Sequence, residues 1–403
     1  MEYRFSLTQN KQLFIYNMKQ ASMIIFFSIV LLIHLLVNLY IYQRGIQGLE
    51  GFPYLKFYFR ITMLILVISY PLGRFLEKVW LSPVSDVLHW IGAFWFAGML
   101  YSVLFLVSID IIRLINLIFH FLPTKGTIQY VELKTISTIL VSSLTVLIVL
   151  IGFFNAWHPK TTVLDLNINK KNPKYESLKI VAASDVHMGT IIAKRKTNNL
   201  VNTINNLKPD IILFAGDVVD EDVQPVIRQN LGENLTKLKA PLGVYAITGN
   251  HEYIGGVKDA CEYLNNHGLT VIRDSSILID SSFYIVGRDD KDKYRFTGDT
   301  RKEISDLVKG LDQEKPIILL DHQPFNLDKA EDAGIDLQIS GHTHHGQLWP
   351  FGYITNKIFE VSRGYKQKGT SHFYVSTGYG TWGPPVRLGN RPEVMVFNLH
   401  FKN

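Results

Sequence analysis

The hydrophobic positions divide the chain into two halves. Long apolar runs dominate from about residue 22 to residue 157, whereas after about residue 170 the apolar runs are short and alternate with charged and polar residues. A hydrocarbon core about 30 Å thick requires roughly 20 apolar residues in a helix. We therefore predict a transmembrane region over residues 1–159. Its spans are expected at residues 22–42, 54–73, 87–109 and 135–157.

The second of these spans is the weakest, because Lys56 and Arg60 lie in its first half. It can cross the bilayer only if both side chains extend their charges to the interface, and a re-entrant or interfacial helix is the alternative. Four spans return the second half of the chain to the side of the N-terminus. Basic residues before residue 20 and after Lys160 favour the cytoplasm for that side, although basic residues also lie between the spans.

The second half begins with a lysine-rich segment, residues 160–177, for which we predict a linker. In residues 178–403, short β-rich runs alternate with segments of helical period, as in a layered α/β domain. The predicted helices cover residues 193–207, 223–238, 257–267 and 301–311. The predicted buried strands cover residues 178–184, 210–216, 243–249, 316–320 and 336–340.

Charge and cysteine content narrow the possible functions. The net charge is +6 and no basic block is interleaved with aromatic residues, so nucleic-acid binding has no support. Cys261 is the only cysteine, which excludes an intrachain disulfide and a thiolate metal cluster. We interpret Cys261 as a small buried hydrophobic residue. Any metal site must therefore consist of Asp, Asn, Glu and His side chains.

Metal-capable side chains follow all five predicted strands. In layered α/β folds, ligands bind at the carboxyl ends of strands. One such pair occurs easily by chance, whereas five in succession are hard to explain by chance. The pairs are Asp185 and His187, Asp217 and Asp220, Asn250 and His251, Asp321 and His322, and His342 and His344.

The spacing within the pairs suggests a geometry. In an extended segment alternate side chains point the same way, so Asp185 and His187 could share one ion, as could His342 and His344. Glycines precede three of the pairs, where they permit a sharp turn and a close backbone approach. These are Gly216, Gly249 and Gly341. Mixed carboxylate, imidazole and amide ligands suit Mn, Fe or Zn better than Ca or Mg.

These five motifs resemble those of the calcineurin-like metallophosphoesterase superfamily, over roughly residues 178–399. The C-terminal stretch from Tyr374 to Arg387, with the run from Arg391 to Val394, resembles the bacterial, membrane-tethered branch. Two positions depart from the pattern. His345 stands where that branch often has glycine, and Glu252 replaces the aspartate that often follows the motif histidine.

The resemblance implies an α-helical multi-pass membrane segment followed by an α/β four-layer metallophosphoesterase β-sandwich flanked by helices. It also implies two divalent metal ions, Mn, Fe or Zn, and assigns the ligands residue by residue. Asp217 would bridge the ions, which together lower the pKa of an attacking water and clamp the attacking and leaving oxygens. The first ion would be held by Asp185, His187 and His344, and the second by Asn250, His322 and His342.

Four further residues receive roles with alternatives. His251 would donate a proton to the leaving group, and Asp220 would orient its ring or instead cap a helix starting near Val223. Arg387 could bind a substrate phosphate through its guanidinium or form a surface ion pair. His345 could extend the site or simply belong to its loop.

The sequence thus predicts a dinuclear metal-dependent hydrolase of phosphomonoesters or phosphodiesters. Anchoring in a lipid bilayer favours a lipid or lipid-linked substrate, such as a phospholipid head group or a UDP-linked acyl sugar. The alternatives are a soluble nucleotide phosphodiesterase that is merely located at the membrane and an inactive phosphoesterase-like scaffold. The complete ligand set argues against the scaffold. A transporter would need more polar residues inside the spans.

Overall fold

The computed structural model describes residue 25 and residues 28–402. The predicted start of the first span, at residue 22, and the basic residues before it lie outside the described residues. The chain forms two compact units. One comprises Met1–Val79 and Val87–Ile148, and the other comprises Trp80–Asp86 and Val149–Asn403.

Four long apolar helices account for the N-terminal part, as predicted. Each has at least 21 residues, which at 1.5 Å per residue is enough to cross about 30 Å of hydrocarbon. Most of their large apolar side chains are exposed, including Leu31, Leu64 and Leu147. Helix α3 continues beyond the predicted end at residue 109. The helices are α1 (Ser28–Gly48), α2 (Pro53–Val79), α3 (Pro83–Phe119) and α4 (Ile128–Trp157).

The C-terminal part contains two six-stranded sheets. Their strand orders are β1-β12-β2-β3-β4-β5 and β10-β11-β9-β8-β7-β6. Apolar side chains of both sheets form one core cluster, with Ile180, Leu213, Phe397, Ile285 and Ile318 among its members. The strands are β1 (Lys160–Lys171), β2 (Ser177–Ala183), β3 (Ile211–Phe214), β4 (Val244–Ala246), β5 (Thr270–Val271), β6 (Ser275–Ile279), β7 (Phe283–Gly287), β8 (Ile317–Leu320), β9 (Leu337–Ser340), β10 (Gly364–Lys368), β11 (Ser371–Val375) and β12 (Glu393–Lys402).

Helices cover the sheets and complete the predicted layered arrangement. Helices α11 and α12 contribute Leu307 and Leu327 to a second apolar cluster with Leu319 and Phe373 of the second sheet. The helices are α5 (Lys194–Asn206), α6 (Gln224–Arg228), α7 (Gly232–Leu235), α8 (Asn250–Gly255), α9 (Val257–Asn266), α10 (Lys293–Thr297), α11 (Ile304–Val308), α12 (Leu327–Asp332), a 3₁₀ turn at His344–Gly346 and α13 (Gly352–Ile358).

Residues 160–177 differ from the predicted linker. Residues Lys160–Lys171 form strand β1, which pairs in parallel with β12 from Lys160 opposite Glu393 onwards. The apolar residues of this segment alternate with polar ones, and Leu166 and Ile168 are buried in the core between the sheets. The charged residues that suggested a linker occupy the exposed face and the ends of the strand.

The register shows which strand ends share an edge. Strands β2, β3 and β4 are parallel, so their carboxyl ends lie together. Strand β12 runs antiparallel to β2, with Met395 opposite Ala182, and therefore begins at that same edge. Because β1 is parallel to β12, Lys160 also lies there. We call this the carboxyl edge and the opposite side of the sheets the amino edge.

Candidate metal centre

The loops at the carboxyl edge bring the predicted ligands together. Asp185 and His187 follow β2, Asp217 follows β3, and Asn250 begins α8 after β4. His322 follows β8, and His342 and His344 follow β9. Most of these side chains are at least nine-tenths buried, and the ligand atoms of Asp185, Asp217 and His322 lie within 4.8 Å of one another. The five loops therefore form one site.

The first predicted ligand set is a compact group. Asp185, His187 and His344 offer ligand atoms within 4.8 Å of one another. The Nε2 atoms of His187 and His344 are 3.0 Å apart, and His344 Nε2 lies 3.5 Å from Asp185 Oδ1. Two ring nitrogens and a carboxylate oxygen thus converge on one point, which is a donor set suited to a divalent cation.

Asp217 reaches both halves of the site. Its Oδ2 lies 3.0 Å from His322 Nε2 and 3.9 Å from His187 Nε2. The backbone N–H of His251 donates to the other oxygen, Oδ1, at 2.9 Å. One carboxylate oxygen therefore points between the two groups, as the predicted bridging role requires.

Asn250 and His342 lie beside this carboxylate. Asn250 Oδ1 is 2.8 Å from His342 Nδ1, and the backbone N–H of His342 donates to Asp185 Oδ1 at 2.8 Å. Burial and the charge of His322 lower the pKa of His342 to about 3. The imidazole of His342 is therefore neutral and can offer a lone pair.

The contacts of His322 fit a bound cation. Its Nδ1 donates to the carbonyl of Ala215 at 2.7 Å, which leaves Nε2 as an acceptor. That atom is buried and has no hydrogen-bond partner, yet it faces a carboxylate oxygen of Asp217. Burial alone would lower the pKa of His322, but Asp217 raises it well above its usual value. A proton or a divalent cation is needed between these two acceptors, and the ligand set around them favours the cation.

The backbone at the site differs from the extended geometry that the spacing suggested. Asp185 and His187 have φ values of 50° and 51°, and His342 and His344 have 71° and 43°. These left-handed conformations are unfavourable for residues with a side chain and are concentrated at functional sites. The paired side chains therefore converge through tight turns and not through strand alternation.

The glycines before the ligands are explained by close approach. A Cβ atom at Gly341 would lie 2.2 Å from Asp185 Oδ2, and one at Gly249 would lie 2.1 Å from Asp217 Oδ1. Such contacts are sterically forbidden, so any larger residue would displace a ligand carboxylate. The sequence-based expectation that these glycines permit a crowded ion site agrees with this geometry.

His251 lies next to the ligands and contacts Asp220. Its Nδ1 is 3.0 Å from Asp220 Oδ1. Burial lowers the pKa of His251, but the carboxylates of Asp217 and Asp220 raise it to about 9. The alternative role of Asp220 as a helix cap is not seen, because the N–H of Gln224 at the start of α6 bonds Asp222 instead. Asp220 Oδ1 also lies 3.3 Å from His187 Nδ1, so it contacts two histidines of the site.

Sequence reasoning gave no role to Glu252, which joins two ligand loops. Its buried carboxylate accepts hydrogen bonds from the backbone N–H groups of Asp217, Val219 and Gly249 at 2.7–3.1 Å. The available signal was its position three residues after Gly249, which is the spacing of a helix capping box. This side chain holds the loop of Asp217 against the start of α8.

Asp321 precedes a ligand but points to other partners. Its two oxygens lie 3.0 Å from Arg288 Nη1 and 2.7 Å from Arg301 Nη1. The fourth strand end thus supplies one metal-capable side chain and one carboxylate that is paired with two arginines. The motif resemblance assigned a ligand role to His322 and none to Asp321.

Arg387 and His345 lie behind the site. Arg387 is fully buried, and its guanidinium donates to the carbonyls of Thr377 and Gly380 and lies 3.0 Å from His344 Nδ1. It supports His344 from behind, which differs from the substrate contact and the surface ion pair considered from the sequence. His345 is buried with its Nδ1 2.9 Å from Ser362 Oγ. It lines a separate cavity of about 220 Å³.

Known proteins share these features. Residues 178–346 match the family profile described as calcineurin-like phosphoesterase. A metallophosphoesterase of Aquifex aeolicus is 34% identical over 58% of this chain and 89% of its own length. One from Campylobacter jejuni is 28% identical over 94% of this chain and 99% of its own.

A transmembrane protein with a metallophosphoesterase domain from Bos taurus is 31% identical over 62% of this chain and 59% of its own length. The family is dinuclear and metal dependent, in agreement with the groups of possible metal-binding atoms that include Asp185, His187, His344, Asp217 and His322. This chain therefore belongs to the calcineurin-like metallophosphoesterases, which are hydrolases of phosphoesters.

Proposed function

We propose that this protein is a multi-pass membrane phosphoesterase that hydrolyses a lipid or lipid-linked phosphoester at the bilayer surface. The observation that carries the proposal is the position of the carboxyl edge relative to the chain's last apolar helix. Helix α4 ends at Trp157, and β1 begins at that edge with Lys160. The ligand loops therefore lie at the edge where the chain leaves its last candidate span.

The end of α4 also contacts the loop behind the ligands. Asn155 Nδ2 donates to the carbonyls of Arg387 and Asn390 at 2.9 and 2.7 Å. The N–H of Arg387 donates to the carbonyl of Gly152 at 2.9 Å. The last turns of this helix therefore contact the loop that carries Arg387, the residue that lies behind His344. A substrate held by the membrane would have a short path to the site.

Each side chain has a distinct task in this proposal. Two divalent cations, when bound, supply acidification of the attacking water and neutralisation of charge on the phosphoryl oxygens. Asp217 would contribute to binding both cations. Asp185, His187 and His344 would hold one of them, and Asn250, His322 and His342 would hold the other.

His251 is the proposed proton donor to the leaving oxygen. It lies beside the ligands, with its ring centroid 4.4 Å from that of His187. The contact between Nδ1 and Asp220 fixes the ring and leaves Nε2 to face the substrate. Asp220 is thus a positioning residue for His251 and, through its second contact, for His187.

The four apolar helices are proposed to span the membrane and to place the catalytic domain in the cytoplasm. Their length and composition support the spans, and the basic residues after Lys160 support the side. Protease added to sealed cells should leave the region after Lys160 uncut, whereas permeabilised cells should show cleavage there. Cleavage in sealed cells would place the domain on the outer face.

The substrate class can be tested with detergent-purified full-length protein and added Mn²⁺. Phosphoesters of long-chain lipids in mixed micelles should be hydrolysed faster than nucleotide esters of the same phosphoryl group. His322→Ala serves as the matched inactive control. Preference for the nucleotide esters would support a soluble substrate, and no activity on any ester would support an inactive scaffold.

A further inference from the structure

The segment Trp349–Ile358 exposes a row of large apolar side chains. It follows the ligand loop after β9 and includes helix α13. Its exposed residues are Trp349, Phe351, Tyr353, Ile354 and Ile358, with 40–66% of each side chain accessible. Contiguous apolar surface of this kind on a soluble domain marks an interaction site. We call these residues the apolar segment.

The apolar segment and the end of α4 contact the same loop. The N–H of Trp349 donates to the carbonyl of Leu388 at 2.9 Å. The residue before Leu388 is Arg387, and its N–H donates to the carbonyl of Gly152 in α4. A Cβ atom at Gly152 would lie 3.1 Å from Leu388 Cγ, so the helix backbone touches this side chain directly. The loop that contains Arg387 and Leu388 therefore contacts both the apolar segment and the end of α4, the last candidate span.

Basic side chains surround a cavity beside this loop. The cavity measures about 580 Å³ and is lined by Lys160, Arg363 and Arg391, together with Asn155 of α4. The carboxylate in its lining, Glu393, accepts hydrogen bonds from Thr162 and Thr377 and lies 3.5 Å from Lys160 Nζ, which leaves Arg363 and Arg391 as the basic side chains without a carboxylate partner in the lining. Basic residues next to a span attract anionic lipid head groups, and Trp and Tyr favour the membrane interface. Charge and composition thus match a bilayer surface and not a second protein.

We propose that the apolar segment inserts into the bilayer interface and holds the carboxyl edge against the lipid head groups. The inference rests on the proposed lipid substrate, which it explains in physical terms. A lipid phosphoester then reaches the ligands without leaving the membrane surface, because the segment begins five residues after His344. The small cavity lined by His345, Trp349 and Tyr353 lies between the segment and the ligand loop.

Depth measurements test this directly, because the chain has one cysteine. In full-length protein with Cys261→Ser, a fluorophore is attached at Ile354→Cys, and the protein is placed in nanodiscs that contain spin-labelled lipids. Leu278→Cys is the matched control. It is an exposed apolar residue on β6, opposite Tyr284 at the amino edge. The label at position 354 should be quenched strongly and that at 278 weakly. Equal quenching would overturn the proposal, as would disulfide cross-linking between two copies at position 354.

A second measurement separates this inference from the substrate proposal. The double variant Tyr353→Glu, Ile354→Glu should keep its rate on a water-soluble aryl phosphate. Its rate on a lipid phosphoester in vesicles should fall about tenfold or more, because charged side chains partition poorly into the interface. Equal rates on vesicles for variant and wild type would overturn the insertion. If the wild type hydrolyses no lipid ester but position 354 is still quenched, the insertion stands and the proposed substrate fails.

Discussion

The two edges of the sheets use the same residue types for different purposes. At the amino edge, carboxylates complete the backbone: Asp210 accepts from the N–H of Lys179 at 2.7 Å, and Asp336 accepts from the N–H of Ile317 at 2.7 Å. At the carboxyl edge, Asp217 faces the acceptor nitrogen of His322 at 3.0 Å. Asp210 and Asp336 have backbone donors for partners, whereas one of the two oxygens of Asp217 faces an imidazole nitrogen.

This difference distinguishes carboxylates that stabilise the fold from a carboxylate that is available to bind a ligand. A carboxylate that receives an N–H group is satisfied by the fold alone and strengthens it. A buried carboxylate that faces an imidazole nitrogen raises the energy of the fold unless a proton or a metal cation lies between them. The carboxyl edge is therefore built around a ligand, and the amino edge is not.

The largest expected effect is the loss of the bridging carboxylate. Asp217→Asn should lower the metal content below two equivalents. It should also lower the rate by more than about 100-fold, which is the upper range for loss of a residue that hydrogen-bonds to a metal ligand. Asp280→Asn, at an exposed position of the amino edge, is the control and should change neither. Elemental analysis and rates are measured on the same preparations. Two equivalents retained at normal affinity by Asp217→Asn would contradict the bridging role.

His251 should differ from the ligand histidines at the same edge. His251→Ala should keep both metals and lose about 10²–10⁴ in rate on alkyl esters, whose leaving groups need a proton. It should lose much less on p-nitrophenyl phosphate, which leaves without one. His322→Ala should lose a metal and fail on both substrates. Reduced metal content in His251→Ala, with equal losses on both esters, would make His251 a ligand.

The sequence predicted which side chains come together at the carboxyl edge better than it predicted their geometry. The side chains could be identified because the sequence gives their residue types and their order along the chain. The apolar helices could be identified because composition alone predicts them. The left-handed turns at Asp185 and His187 depend on contacts from other loops, which no local pattern records. The same applies to Arg387, whose burial depends on α4. Without the motif resemblance, residue type alone could not separate Asp321 from His322, because the arginines that pair with Asp321 lie elsewhere in the chain.

Strand β1 extends from the carboxyl edge across the first sheet, and its removal tests the domain boundary. A linker at residues 160–177, as the sequence predicts, would allow a fragment from about Pro173 to fold alone. Such a fragment loses Leu166 and Ile168 from the core, which costs about 3–6 kcal/mol at roughly 1.5–3 kcal/mol per buried side chain. A fragment from His158 should be more stable by this amount in urea unfolding. Equal stability of the two fragments would show that this segment is a linker and does not stabilise the domain.

Glu252 supports the carboxyl edge without touching a metal. Glu252→Gln keeps the shape but replaces one acceptor oxygen by a donor, which faces the backbone N–H groups of the ligand loops. Metal affinity should fall about 10–100-fold, as is usual for partners of ligands, and excess Mn²⁺ should restore much of the rate. Glu314→Gln, at an exposed turn, is the control. An unchanged metal affinity in Glu252→Gln would show that the ligand loops keep their positions without the Glu252 carboxylate.

The smallest expected effect is a difference in the free energy of unfolding that arises from two lysines, one near each edge. Lys196, at the start of α5 behind the carboxyl edge, is buried with its ammonium 2.6 Å from the carbonyl of Ala156. Burial and the charge of Arg387 lower the pKa of Lys196 to about 7. Lys174, before β2 at the amino edge, is about half exposed and lies 2.5 Å from Asp280. Lys174→Met is therefore a control for Lys196→Met.

The pH dependence of the free energy of unfolding distinguishes the two lysines. Between pH 7 and about 10.4, the usual lysine pKa, the unfolded chain carries a proton on Lys196 that the folded chain has lost. Raising the pH through this window therefore favours the folded state, and the cost of burying Lys196 is complete only below pH 7. Lys196→Met removes this term, so its gain over wild type should be largest at pH 7 and shrink towards pH 10. Thermal unfolding of full-length protein in detergent, followed by tryptophan fluorescence, measures it. A gain that stays constant with pH, or that matches Lys174→Met, would show that Lys196 stays charged through its contacts with Ala156 and the Tyr379 ring.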